Sequence, residues 1–325
     1  IAVVRELIAK VEPALGPAVD LMDLAAERVG CDLSTQVPQG DGPTPGPSWN
    51  ALRALARYRL VKARLDLLEG DFGEFANGLD STLALAGCAE SEPSFYRLLG
   101  GAMEREVFAA LQEAWLSGPE LPQAELGRLE RRVAGLPTLG LEPTLRFFAV
   151  LMSPRNEEWS TSPNRQSLLA RLLALPSLDQ ALALAAFHAG LDGLSAAEPV
   201  DQPFWWSAVS DRGPWLAPNY WQTQRVSEAR MSRRSLILTA LSAERELAVQ
   251  GAYPASGPPG SPAPGGLVAE AVVWRREADG ALDLSLPRTE RRWSEIVDSH
   301  PALASTKKGT MPLWSIRLPP PARAR

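Results

Sequence analysis

Acid–base and metal chemistry lean first on histidine, and this chain has two, His188 and His300. His188 stands in Ala185-Ala186-Phe187-His188-Ala189, a helical pattern in which a packed imidazole is the expected outcome. His300 precedes Pro301 in a polar stretch, and neither histidine has further ligands at zinc spacing. Nucleophilic catalysis needs a base beside Ser or Cys. The chain has no G-x-S-x-G elbow, no histidine close in sequence to Cys31 or Cys88, and no phosphate-binding glycine pattern. Two acids facing across a cleft would suit glycoside hydrolysis. The close pairs available, Glu90/Glu92 and Glu157-Glu158, read as solvated loop residues. A hydrolase with a cleft built from distant acids is therefore one reading, and no cofactor or metal is expected.

The residue types with most binding capacity are aromatic. Residues 199–221 carry Phe204, Trp205, Trp206, Trp215, Tyr220 and Trp221 among prolines. Trp and Tyr faces stack on sugar rings or anchor protein partners. Trp205 and Trp206 are adjacent, so in extended backbone their side chains point to opposite faces. One is expected to staple the segment to the body and the other to face outward, beside Trp215, Tyr220 and Trp221.

These residues must be positioned by helices. With 325 residues and 45% apolar composition, the chain can bury a sizeable core. No apolar run approaches the roughly 18 residues of a membrane span. A net charge of −5, with basic residues scattered, leaves no footprint for nucleic acid. Residues 1–30 are helical by pattern, and Pro13 and Pro17 are expected to break that helix near Glu12. Residues 36–48 form a Pro/Gly loop. Leu52, Ala56, Leu60, Ala63 and Leu67 recur at helical spacing, Gly70 caps that helix, and a second runs from Phe72 to about Leu85. This αα-hairpin has tetratricopeptide-like character without a second copy. Further helices are expected at Pro93–Trp115, Pro122–Ala134, Pro143–Met152, Arg165–Leu175 and Ser177–Ala189, most of them bounded by Gly or Pro. A long amphipathic helix from Asn219 to Val249 carries Ala229, Leu236, Ile237, Ala240, Leu241, Leu247 and Ala248 on one face. Asp279-Gly280 predicts a tight primed turn pairing Val272–Glu277 with Ala281–Leu286, and Pro312–Leu318 supplies a third strand.

The fold class expected is mainly α: a helical body of αα-hairpins, then a small α+β module of one long helix and a three-stranded antiparallel sheet. The boundaries read as body 1–197, aromatic connector 198–218, module 219–319 and tail 320–325.

Arg233-Arg234 through Glu246, Gly251-Ala252-Tyr253-Pro254, Trp274 through Gly280 and Trp314 through Pro319 form a recognisable series. With Gly213 through Asn219 as a lead-in, it resembles the C-terminal part of a group of bacterial membrane-anchored envelope proteins. Those end in a module like the head of type II secretion pseudopilins. Two departures mark this chain. Its loop after Pro254 is mostly Pro, Gly and Ser, and Arg288–His300 replaces the glycine/aspartate segment in which some pseudopilin heads bind calcium. The resemblance implies an extracytoplasmic location, in the periplasm or at the cell surface, with membrane tethering through a segment preceding Ile1, if one exists. It assigns no activity. That location permits a Cys31–Cys88 disulfide, each cysteine lying at the end of an expected helix. The function expected is a non-catalytic scaffold or subunit of a cell-envelope assembly with a protein partner. The competing reading is an envelope-polysaccharide-binding module using residues 204–221.

Overall fold

A computed structural model describes residues 2–27, 49–91, 96–117, 121–137, 220–255, 271–290 and 314–321. The described chain is mainly helical, with α1 Ala2–Ala26, α2 Trp49–Glu69, α3 Phe72–Ser91, α4 Tyr96–Ser117, α5 Gln123–Ala134 and α6 Tyr220–Gln250. Three strands follow: β1 Val273–Arg276, β2 Leu282–Ser285 and β3 Ser315–Leu318. The described residues divide between two compact units. One joins 2–137 to 230–255, 271–290 and 314–321, and the other holds Tyr220–Ala229. The helices expected at Pro143–Met152, Arg165–Leu175 and Ser177–Ala189 lie outside the described residues, as do the connector 198–218, both histidines and Glu157-Glu158.

In the larger unit, α3 lies among α1, α2, α4 and α5. One apolar core runs from Leu60, Phe75 and Leu79 through Phe108, Leu111, Leu126 and Leu129 to Leu236, Ile237 and Leu241 on α6. It continues into Leu282, Leu284, Ile316 and Leu318 on the sheet. The strand order is β1-β2-β3, antiparallel throughout, with Leu284 opposite Trp274 on one side and Ile316 on the other. Alternation turns Leu282 and Leu284 inward, and β3 shows the same period, burying Ile316 and Leu318.

Three expectations need correction. Pro13 and Pro17 do not break α1, which is continuous from Ala2 to Ala26. Each proline deprives the carbonyl four residues earlier of its donor. Those carbonyls belong to Ala9 and Pro13, and Ala9, Pro13 and Pro17 are all exposed, so water satisfies the freed groups. The opposite face packs through Gly16, Val19, Met22 and Ala26.

The hairpin turn is also different. Gly280 N donates to Glu277 O at 3.0 Å, and Glu277 N donates to Ala281 O at 2.9 Å. The loop is therefore three residues, 278–280, a type I turn closed by a left-handed residue. Gly280 has φ +89°, and Asp279 Oδ1 accepts from Ala281 N at 2.9 Å. Asp-Gly suits this turn as well as the two-residue one, because both need a positive φ at the glycine.

Finally, α6 is not amphipathic along its central turns. Between residues 232 and 243 it buries Ser232, Arg233, Arg234 and Thr239 as well as Leu236, Ile237, Ala240 and Leu241, whereas Ala248 is exposed. Beyond its end, Gly251 (φ +70°) turns the chain back. This seats Tyr253, whose hydroxyl lies 2.8 Å from both Glu244 Oε1 and the Pro319 carbonyl. The Gly-Ala-Tyr-Pro sequence thus ties α6 to the end of β3.

Gly280 and Gly127 give opposite expected outcomes. Gly280→Ala places a Cβ at positive φ and should cost about 1–2 kcal/mol in urea unfolding. Gly127 lies inside α5, and a Cβ added there meets nothing within 4 Å outside its own helix backbone, so Gly127→Ala should stabilise by about 0.5–1 kcal/mol. A neutral Gly280→Ala would contradict the three-residue turn.

Candidate functional site

One cluster of buried ionisable groups lies where α3, α4 and α6 meet. Glu90 sits in the last turns of α3 and Glu104 in α4, each 2% exposed. Arg230 and Arg234 are four apart on α6, so they share one helix face. Arg234 donates from Nε to Glu104 Oε1 (3.0 Å), from Nη2 to Glu104 Oε2 (2.8 Å) and to Glu90 Oε2, and from Nη1 to the Pro137 carbonyl (2.6 Å). Arg230 Nη2 reaches Glu104 Oε2 at 2.8 Å and also Glu90 Oε1. Two carboxylates and two guanidiniums leave the cluster neutral, the condition under which charge can be buried. Burial, then the neighbouring Arg234 and Arg233, holds the Arg230 guanidinium well below its ordinary range.

This overturns the reading of Glu90 as a solvated loop residue. Helix α3 does not stop near Leu85 but continues to Ser91, because Ala-Gly-Cys-Ala contains no proline to end it. Glycines then make room. A Cβ on Gly100 would fall 2.5 Å from Glu90 Cγ and 2.6 Å from the Ala86 carbonyl. One on Gly101 would fall 2.7 Å from Arg230 Cζ. Gly100-Gly101 inside α4 is costly for a helix, by roughly 1 kcal/mol each, and the cluster is the reason it is there.

Next to the cluster, the Arg233 guanidinium lies 4.3 Å from the Trp314 ring centroid, a cation–π contact that joins α6 to the start of β3. Burial pushes Arg233 down to about 10, still charged at neutral pH.

A second site around a buried arginine is built the same way. Arg59 on α2 is 1% exposed, with Nη2 2.9 Å from Asp23 Oδ2, Nε 3.1 Å from Asp23 Oδ1, and Glu74 and Asp66 at 3.6 and 3.9 Å. A Cβ on Gly78 would lie 2.7 Å from Ala63 Cβ and 3.2 Å from Arg59 Nη1. Desolvation pushes the Asp66 carboxyl up to about 6, against the pull of Arg59 and Lys62. Nearby, Tyr58 donates to Glu12, which also receives Lys62 Nζ at 3.1 Å. That bond holds Glu12 low, while burial and the same bond push Tyr58 up to about 12. Arg132 grips Asp80 at 2.8 and 3.1 Å and donates to the Ala26 carbonyl at 2.6 Å, closing the end of α1.

In the Glu90–Glu104 cluster, both carboxylates are bound by guanidiniums, which suits them to holding helices in register. Among the described residues, no three His, Cys, Asp or Glu side chains converge to hold a metal ion. Trp205, Trp206 and Trp215 lie outside the described residues. Tyr220 and Trp221 open α6, with side chains outside that description. Cys88 is half-buried in the last turns of α3, and Cys31 lies outside the described residues. The sequence signal for the cluster was the pair Arg230/Arg234 on the face of a helix otherwise rich in Leu, Ile and Ala, with Gly100-Gly101 inside a helical pattern.

Two outcomes test this geometry. Gly100→Ala should destabilise by about 1–3 kcal/mol, the usual cost of overpacking, although alanine is the better helix former. A gain in thermal stability would contradict the close α3–α4 approach. Asp66 gives a pH signature. Its folded value near 6 exceeds the unfolded value of 3.8, so the folded state penalises the charged form. That penalty is absent below about pH 4, grows through pH 6 and is complete above it. The stability of Asp66→Asn relative to the unsubstituted chain should therefore rise by about 2–3 kcal/mol between pH 4 and 7. A difference independent of pH would place Asp66 in water.

Compared with family models, with curated proteins and with solved structures, the chain matches none.

Proposed function

We propose that this chain is a non-catalytic scaffold or subunit of an extracytoplasmic cell-envelope assembly, acting through protein–protein contacts. The observation that carries the reading is the use made of its buried charges. Glu90, Glu104, Arg230 and Arg234 neutralise one another and join three helices. A catalytic carboxylate has to keep an oxygen free for substrate at a pKa matched to its task. The C-terminal series from Gly251 to Pro319 supplies the envelope part of the proposal through its resemblance to pseudopilin-like modules. Among the described residues no helix is long and apolar enough to cross a membrane.

Affinity capture of the full-length protein from its native membranes tests the reading. The expected result is a defined set of envelope proteins at fixed stoichiometry, with the chain degraded by external protease in spheroplasts. Recovery of the chain alone, recovery with polysaccharide only, or protection from that protease would contradict it.

A further inference from the structure

Helix α1 has two apolar faces, and among the described residues only one of them is packed. Gly16, Val19, Met22 and Ala26 pack on the body. Val4, Leu7, Val11, Ala14, Ala18 and Leu21 alternate in steps of three and four residues along a second stripe, roughly 110° around the helix. All of that stripe but the half-buried Ala18 is exposed: Leu7 is 56% and Leu21 67% exposed, and flanking Val3 and Leu24 are 70% and 50% exposed. Among the described residues, six of the eleven large exposed apolar side chains belong to this one helix.

The spacing is that of a heptad seam, with Val4 and Val11 at one core position and Leu7 and Leu21 at the other. β-Branched residues at the first and leucine at the second favour two parallel strands. We propose that α1 pairs with α1 of a second copy of this chain as a parallel, in-register coiled coil. The proposal rests on the assembly reading and names its first contact. Area supports this occupant. The exposed stripe amounts to roughly 500 Å² on each helix, or about 1,000 Å² for a pair, the least a specific interface has to bury. Charge does not oppose it. No ionised side chain lies on the seam, and Lys10 beside it is paired with Glu6 of its own helix at 2.7 Å. Pro13 and Pro17 fall outside the stripe. Because the packed face lies roughly 110° around the helix from the seam, two bodies related by a two-fold axis lie on opposite sides of the helix pair.

Light scattering of the purified chain should give twice the monomer mass. Leu7→Lys combined with Leu21→Lys should halve that mass while leaving the circular-dichroism melt of the monomer intact, since both side chains are exposed within one copy. In a Cys31→Ser/Cys88→Ser background, Leu7→Cys should form a covalent dimer on oxidation, because parallel register brings the two copies of position 7 together. A monomer at concentrations up to about 100 μM, a dimer indifferent to the lysines, or failure to cross-link would overturn the pairing. Co-sedimentation of the monomeric chain with phosphatidylglycerol vesicles, lost in the lysine variant, would overturn it in favour of a lipid surface. A monomer that still captures envelope proteins would sink this pairing and spare the assembly reading. A dimer that captures nothing would do the reverse.

Discussion

Burying a charge is tolerable only where its partner is buried with it, and that constraint organises this molecule. Glu90 and Glu104 are buried away from solvent, so α6 must present two guanidiniums one turn apart on one face. The requirement propagates outward. α4 must pass close enough to α3 for the four groups to meet, which requires glycine at 100, while Gly101 leaves room for the Arg230 guanidinium. α6 must be long enough to run from Arg230 to the Gly251 turn that seats Tyr253 against β3. Arg233, one residue before Arg234, then reaches Trp314. Residues far apart in sequence are thereby fixed to one another by groups that tolerate no slip. An apolar seam can slide by a residue at modest cost, whereas sliding this one leaves charges unpaired. The net stability gained from such a cluster is small; its effect is on which arrangement is allowed.

The same construction recurs at Arg59, where Gly78 supplies the space and Asp23, Glu74 and Asp66 supply the charge. The balance is poorer there. Asp66 is held at 3.9 Å from its guanidinium and is largely desolvated, which is why its proton affinity rises. Two guanidiniums meet two carboxylates between α3, α4 and α6, whereas Arg59 faces three carboxylates between α1, α2 and α3, and the raised Asp66 makes that second region sensitive to pH.

Element types were legible in the sequence wherever a local rule was sufficient. Gly70 ends α2 and Asp279-Gly280 turns the hairpin, each through a positive φ at glycine that few residues adopt, and Pro122 opens α5 with the φ of −59° that its ring fixes. The errors arose where tertiary context overrode a local rule. The prolines of α1 were expected to break it, but their freed carbonyls face water while the other face packs. Glu90 was read as solvated because a lone glutamate near the end of a helical pattern usually is. Its burial depends on arginines some 140 residues away, which no local window contains. Arg59 went unnoticed for the same reason. The outward stripe of α1 was invisible as such, because periodicity marks an apolar face without saying what covers it.

A double-mutant cycle on Glu104 and Arg234 tests the central claim most directly. Unfolding free energies would be measured for Glu104→Gln, Arg234→Met and the two combined. If mutual neutralisation governs this interface, each single change strands a buried charge and costs about 3–5 kcal/mol. The double variant then loses at least about 2 kcal/mol less than the two costs added. Strictly additive losses would contradict the account, because they would mean that each group is stabilised by its surroundings and not by the other.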